Sequence, residues 1–92
     1  MNEINNGGVQ GTVTDSKGDA LPGTVISLQG QSTPSRSVVS DTHGNYRFVG
    51  LSPGQYQLST EFLGFAPFTE TILVAAGEVT TVEAVLTPVQ PA

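Results

Sequence analysis

A chain of 92 residues with no cysteine and a net charge of −5 makes one domain, without a disulfide framework, a cysteine metal site or a thiol nucleophile. Its cations are Lys17, Arg36 and Arg47 against eight carboxylates, so there is no basic patch for nucleic acid or an anionic membrane surface. No apolar run approaches the roughly 20 residues that span a bilayer, which excludes direct membrane insertion through a helix.

Residues 1–8 are polar, end in Gly7-Gly8 and read as a flexible lead-in. They have neither a basic n-region nor an apolar h-region, so no signal peptide is expected in this chain. The first strand is Val9 to Thr14, with Val9, Gly11 and Val13 on one face and Gln10, Thr12 and Thr14 on the other. Asp15-Ser16-Lys17-Gly18-Asp19 turns the chain, and Leu21-Pro22-Gly23 adds an apolar plug and a second turn. In the second strand Thr24, Ile26 and Leu28 face inward. Gly30 to Ser35 is a polar loop carrying Pro34. A third strand, Arg36 to Ser40, has Val38 and Val39 side by side, so alternation does not choose its face.

Asp41-Thr42-His43-Gly44 is a turn in which the Asp41 side chain can accept backbone amides two residues on and Gly44 takes the left-handed position. The next two strands alternate strictly: Tyr46 and Phe48 inward against Asn45 and Arg47, then Tyr56 and Leu58 inward against Gln55 and Gln57, in a strand running from Gln55 to about Phe62. Between them Ser52-Pro53-Gly54 meets the needs of a type II turn closing a hairpin. Leu63-Gly64-Phe65-Ala66-Pro67 breaks the run, with Phe65 folding back onto the core. The sixth strand, Phe68 to Val74, buries Ile72 and Val74; the seventh, Val79 to Leu86, buries Val82, Ala84 and Leu86. Residues 87–92, with Pro88 and Pro91, read as a linker stub. Seven strands without a helical period predict an all-β fold, a seven-stranded antiparallel Greek-key β-sandwich of Ig-like form over residues 9–86.

Little in the chain carries chemistry. His43 is the single histidine and sits in a turn, short of the clustered ligands of a metallopeptidase and too close to Asp41 to serve a catalytic triad. The Asp15/Asp19 and Asp41 turns gather oxygens that calcium could use, but without the alternating ligand series of a calcium loop they read as turn formers. No cofactor is expected. Phe65 and Phe68, in a loop and at a strand start, are the two rings that could stay exposed for a ligand such as a glycan.

The motifs Gly11-Thr12-Val13-Thr14-Asp15, Leu21-Pro22-Gly23-Thr24-Val25, Asp41-Thr42-His43-Gly44-Asn45-Tyr46-Arg47-Phe48, Leu51-Ser52-Pro53-Gly54-Gln55-Tyr56 and Gly64-Phe65 occur in order over residues 9–86. In this arrangement the chain resembles the carboxypeptidase regulatory-like domains. The resemblance implies a transthyretin-type sandwich beside metallocarboxypeptidase catalytic domains, at the N-terminus of TonB-dependent outer-membrane receptors, or in secreted and surface proteins. It therefore implies an extracytoplasmic, non-catalytic accessory module that spaces, stabilises or docks an adjacent domain or protein partner. A carbohydrate-binding module and a subunit of a fibre assembled through edge strands are the alternatives.

Two positions depart from the family pattern: Thr60 stands at an inward position that is usually apolar, so its hydroxyl needs a partner, and Leu63 replaces a proline. The surface-adhesin B repeats are similar in the Leu-x-Pro-Gly-x-Tyr turn and carry a Lys-Asn crosslink promoted by a buried acid four residues after the tyrosine. That position is Thr60 here and Lys17 lies in a turn, so no crosslink is expected.

Overall fold

The computed structural model describes residues 6–30 and 35–89. Most of the expected lead-in (residues 1–5), Pro34 of the polar loop and residues 90–92 lie outside them. The strands are β1 (Gly7–Asp15), β2 (Val25–Gly30), β3 (Arg36–Val39), β4 (Asn45–Leu51), β5 (Gly54–Glu61), β6 (Thr69–Val74), β7 (Val79–Thr81) and β8 (Ala84–Leu86). One sheet has the order β4-β1-β7, with β8 also on β1, and the other runs β3-β2-β5-β6. The result is the two-sheet all-β sandwich that the alternation predicts.

Its core is the set of inward residues read from the pattern. Val9, Val13, Ile26, Leu28, Phe48, Leu58, Ala84 and Leu86 are almost wholly excluded from solvent, and Tyr46, Tyr56, Ile72, Val74 and Val82 line the same interior. Packing decides the face of β3: Val38 pairs with buried Ile26 and packs on the core, while Val39 is 61% exposed.

Four expectations are corrected. The predicted seventh strand is two: the Val82 N–H still donates to the Gln10 carbonyl at 2.8 Å, but the Val82 carbonyl accepts the Tyr46 hydroxyl at 2.6 Å, and pairing with β1 resumes at Ala84. Both pieces run parallel to β1, so the sandwich is not wholly antiparallel. Ser52-Pro53-Gly54 does not close a hairpin: β4 pairs with β1 and β5 with β2 and β6, so this segment carries the chain from one sheet to the other. Gly54 has φ 150°, outside type II geometry, while Gly50 takes φ 70°. Finally, Gly7 and Gly8 are buried members of β1, not lead-in.

The start of the expected linker is also held down. The Ala66 N–H donates to Thr87 O at 2.8 Å and the Val89 N–H to Gly64 O at 3.0 Å, so residues 87–89 lie along the loop that joins β5 to β6.

Candidate functional site

The two motif carboxylates that open the D-x-x-G turns each have definite local partners. Asp15 Oδ1 accepts the N–H groups of Lys17 at 2.8 Å and Asp19 at 3.0 Å, with Gly18 at φ 90°. Asp41 repeats the arrangement on His43 and Asn45, both at 2.9 Å, with Gly44 at φ 79°. The two D-x-x-G turns are thus one device used twice: a carboxylate satisfies amides that the turn leaves unpaired, and glycine supplies the left-handed residue.

These amide bonds from Asn45 and His43, aided by the His43 charge, hold the Asp41 carboxyl below its ordinary value of 3.8. A carboxyl with a lowered folded pKa contributes stability that is fully present above its unfolded value and is lost as pH falls through the folded one. Acid unfolding of the wild type is therefore expected to have a component in that window that Asp41→Asn lacks, measurable as the difference of their melting temperatures between pH 6 and pH 2. Parallel curves across that range would contradict the assignment.

The Leu21-Pro22-Gly23 plug rests on a buried polar knot. Leu21 O accepts the hydroxyls of Thr24 at 2.9 Å and Ser40 at 2.7 Å, while Ser40 Oγ accepts the Thr24 N–H at 2.9 Å. Every member is paired, the condition under which a buried polar network rigidifies a fold. Ser40 carried no signal in the sequence, because its partners lie 16 and 19 residues away.

The tyrosines act alike. Tyr46 Oη donates to Val82 O at 2.6 Å, and Tyr56 Oη donates to Ser52 O at 2.7 Å, pinning the crossover between the sheets. Burial pushes the Tyr46 phenol up to about 12, with the Glu70 and Glu83 carboxylates adding to the rise. It is a neutral donor at physiological pH and does not supply a base.

Thr60, whose hydroxyl needed a partner, has one: Oγ1 accepts the Phe68 N–H at 3.1 Å, beside the Thr60 N–H donating to Phe68 O at 2.9 Å. Thr60→Val should strand that amide and lower stability by about 1–2 kcal/mol, whereas Thr60→Ser should retain most of the bond. Urea midpoints of the two variants test this, equal losses contradicting it.

Phe65 and Phe68, the candidate ligand rings, are both half-buried and pack on the core. They do not form one platform. Phe65 instead meets Phe62, centroids 5.5 Å apart and planes tilted by 56°, across a turn closed by the Phe65 N–H on Phe62 O at 3.0 Å. With Glu61, Leu63, Gly64 and Pro67 they line a depression of about 390 Å³ that Phe68 does not join.

A larger groove, about 660 Å³, was not anticipated. It lies over the outward side chains of the first sheet, where pairing sets Arg47, Gln10 and Thr81 in one row and Asn45 beside Thr12, with Glu83 and Val39 also lining it. Its lining is of mixed polarity and charge, and it is open. His43 lies exposed in its turn, and no group of three or more His, Cys, Asp or Glu able to hold a metal occurs among the described residues.

Residues 8–87 match the carboxypeptidase regulatory-like domain. The chain belongs to that family. The regulatory-like domain is 36% identical over 76 residues to the carboxypeptidase N catalytic chain of Mus musculus, covering 83% of this chain and 16% of the relative. Among solved structures it resembles the Bacillus anthracis TIE protein (TM-score 0.80, 19% identity, 92% of this chain and 17% of that one). It also resembles a minor pilin of Streptococcus agalactiae (TM-score 0.74, 18% identity, 97% and 47%). At these identities the structural likeness speaks for the fold alone.

Proposed function

We propose that the regulatory-like domain is a non-catalytic accessory module that spaces, stabilises or docks a neighbouring domain or protein in an extracytoplasmic setting. The observation that carries the reading is the fate of the motif side chains: the Asp15 and Asp41 carboxylates and the Tyr46 and Tyr56 hydroxyls are bonded to the domain's own backbone. A group engaged in this way holds the fold and is not poised as nucleophile, base or ligand. The extracytoplasmic setting is supported by the settings usual for the family and by the low content of charge.

Glycan binding has a narrower footing, since the large groove contains no ring other than the buried Tyr46 and Phe65 is turned toward Phe62. Deleting the domain from a longer protein that carries it tests the main reading. The neighbouring domain should then unfold at lower temperature while its activity per folded molecule is unchanged. An unaltered unfolding temperature would remove the stabilising role, and loss of the chemical step itself would overturn the non-catalytic reading.

A further inference from the structure

The outermost strands of a sandwich present unpaired backbone groups, and the regulatory-like domain treats two of its edges differently. On β4 the free edge is closed at both ends. Asn45 has its N–H on Asp41 Oδ1 and its carbonyl on the Asp41 N–H, each at 2.9 Å, and Val49 O accepts Arg36 Nη1 at 2.8 Å.

On β6 the edge is open at Thr69 and Thr71 among the described residues. The bond from Thr60 N–H to Phe68 O sets the alternation, so Glu70, Ile72 and Val74 turn their backbone groups toward Leu58, Tyr56 and Gly54 of β5. Thr69, Thr71 and Leu73 turn theirs outward. Among the described residues only the Leu73 carbonyl is met there, by the Thr80 hydroxyl at 3.2 Å. The Leu73 side chain is itself 71% exposed.

Glu70 gives this edge a sign. It pairs with fully buried Leu58 and so lies on the inward face of β6, yet it remains exposed because the opposite sheet does not cover it. Its charge contributes to the rise of the Tyr46 phenol. The domain's cations are placed elsewhere: Lys17 in the turn after β1, Arg36 on Val49 O and Arg47 on the outward face of β4.

We propose that the free edge of β6 is a strand-addition site for an extended partner segment that sets a basic residue opposite Glu70. Main-chain bonds to Thr69, Thr71 and the Leu73 N–H, the Leu73 carbonyl being held by Thr80, supply the attachment, and the cross-strand charge pair supplies the choice of partner. A second copy of this chain does not fit, because antiparallel pairing of β6 with itself gathers two Glu70 carboxylates on one face without a cation. The inference rests on the docking reading above and names the chemistry of what is docked.

The probes are two blocked seven-residue peptides of alternating valine and threonine, one with a central lysine and one with a central glutamate, titrated into the isotope-labelled domain and followed by amide NMR. The lysine peptide should shift and protect the amides of Thr69, Thr71 and Leu73 and bind about two- to fivefold tighter than the glutamate peptide, the size of a cross-strand charge pair. Glu70→Lys should reverse that order. Thr71→Pro, which removes an outward donor that an edge strand does not need for its own fold, should abolish binding. Absence of shifts at these amides with either peptide, equal binding of the two, or shifts that grow with protein concentration alone would each overturn the proposal. Such a failure removes this surface only, since the stabilising role is judged separately by deletion of the domain.

Discussion

Gly11→Ala is expected to destabilise the domain by about 3 kcal/mol, at the upper end of what overpacking costs. A Cβ at Gly11 would be driven into the Val82 carbonyl, with the Tyr46 hydroxyl 3.0 Å away. That carbonyl cannot retreat freely. It accepts the Tyr46 hydroxyl, and the N–H of the same residue is bonded to Gln10 O, so withdrawal stretches two buried bonds at the break between β7 and β8. Gly18→Ala is the control: Gly18 has φ 90° but open space around it, and only the left-handed backbone penalty of about 1–2 kcal/mol applies. Urea unfolding midpoints at constant m-value measure both. A loss at Gly11 no greater than at Gly18 would show that the close approach to Val82 does not constrain the fold.

Phe48→Ala should cost about 3–5 kcal/mol, as expected for emptying a buried aromatic site. Phe48 is 1% exposed, in the middle of β4, and its ring meets Tyr46 edge-on at 6.2 Å. The two sheets are held apart by their own strands, so the space it leaves cannot collapse fully. At about 4–8 °C per kcal/mol for a domain of this size, the melting temperature should fall by roughly 12–40 °C. Given a total stability of about 5–15 kcal/mol, Phe48→Leu should recover much of the loss and keep the comparison measurable where the alanine variant is largely unfolded. A fall of only a few degrees for the alanine variant would mean that the interior is not packed around this ring.

What could be read in advance was whatever depends on neighbours in sequence. Alternation named Tyr46, Phe48, Tyr56, Leu58 and even Thr60 as inward, because side chains on a strand repeat every two residues whatever lies beyond. The Asp15 and Asp41 turns were equally legible, since their bonds span two to four residues.

Pairing between distant strands was not legible. Period two says that a strand has two faces and is silent on which strand lies beside it, so the crossover at Ser52-Pro53-Gly54 read as a hairpin. Val79 to Leu86 kept a fair strand pattern throughout. What divides it is the approach of Val82 to Gly11, residues far apart in the chain.

The candidate sites divide in the same way. Phe65 was singled out by its loop, yet its companion is Phe62, three residues away across a turn, where Phe68 turns its backbone to Thr60. The larger groove is assembled by register, which brings Arg47, Gln10 and Thr81 into one row. Each of these is an unremarkable outward residue in its own strand, and only the pairing makes them a surface.

That Asp41, Tyr46 and Tyr56 maintain the fold and perform no chemistry is tested most directly by turnover by the purified domain on peptide, ester and glycoside substrates beside its Asp41→Asn, Tyr46→Phe and Tyr56→Phe variants. No turnover above buffer is expected for any of them, with unfolding midpoints lowered in all three variants. Turnover by the wild type that disappears in one variant whose unfolding midpoint is unchanged would contradict it.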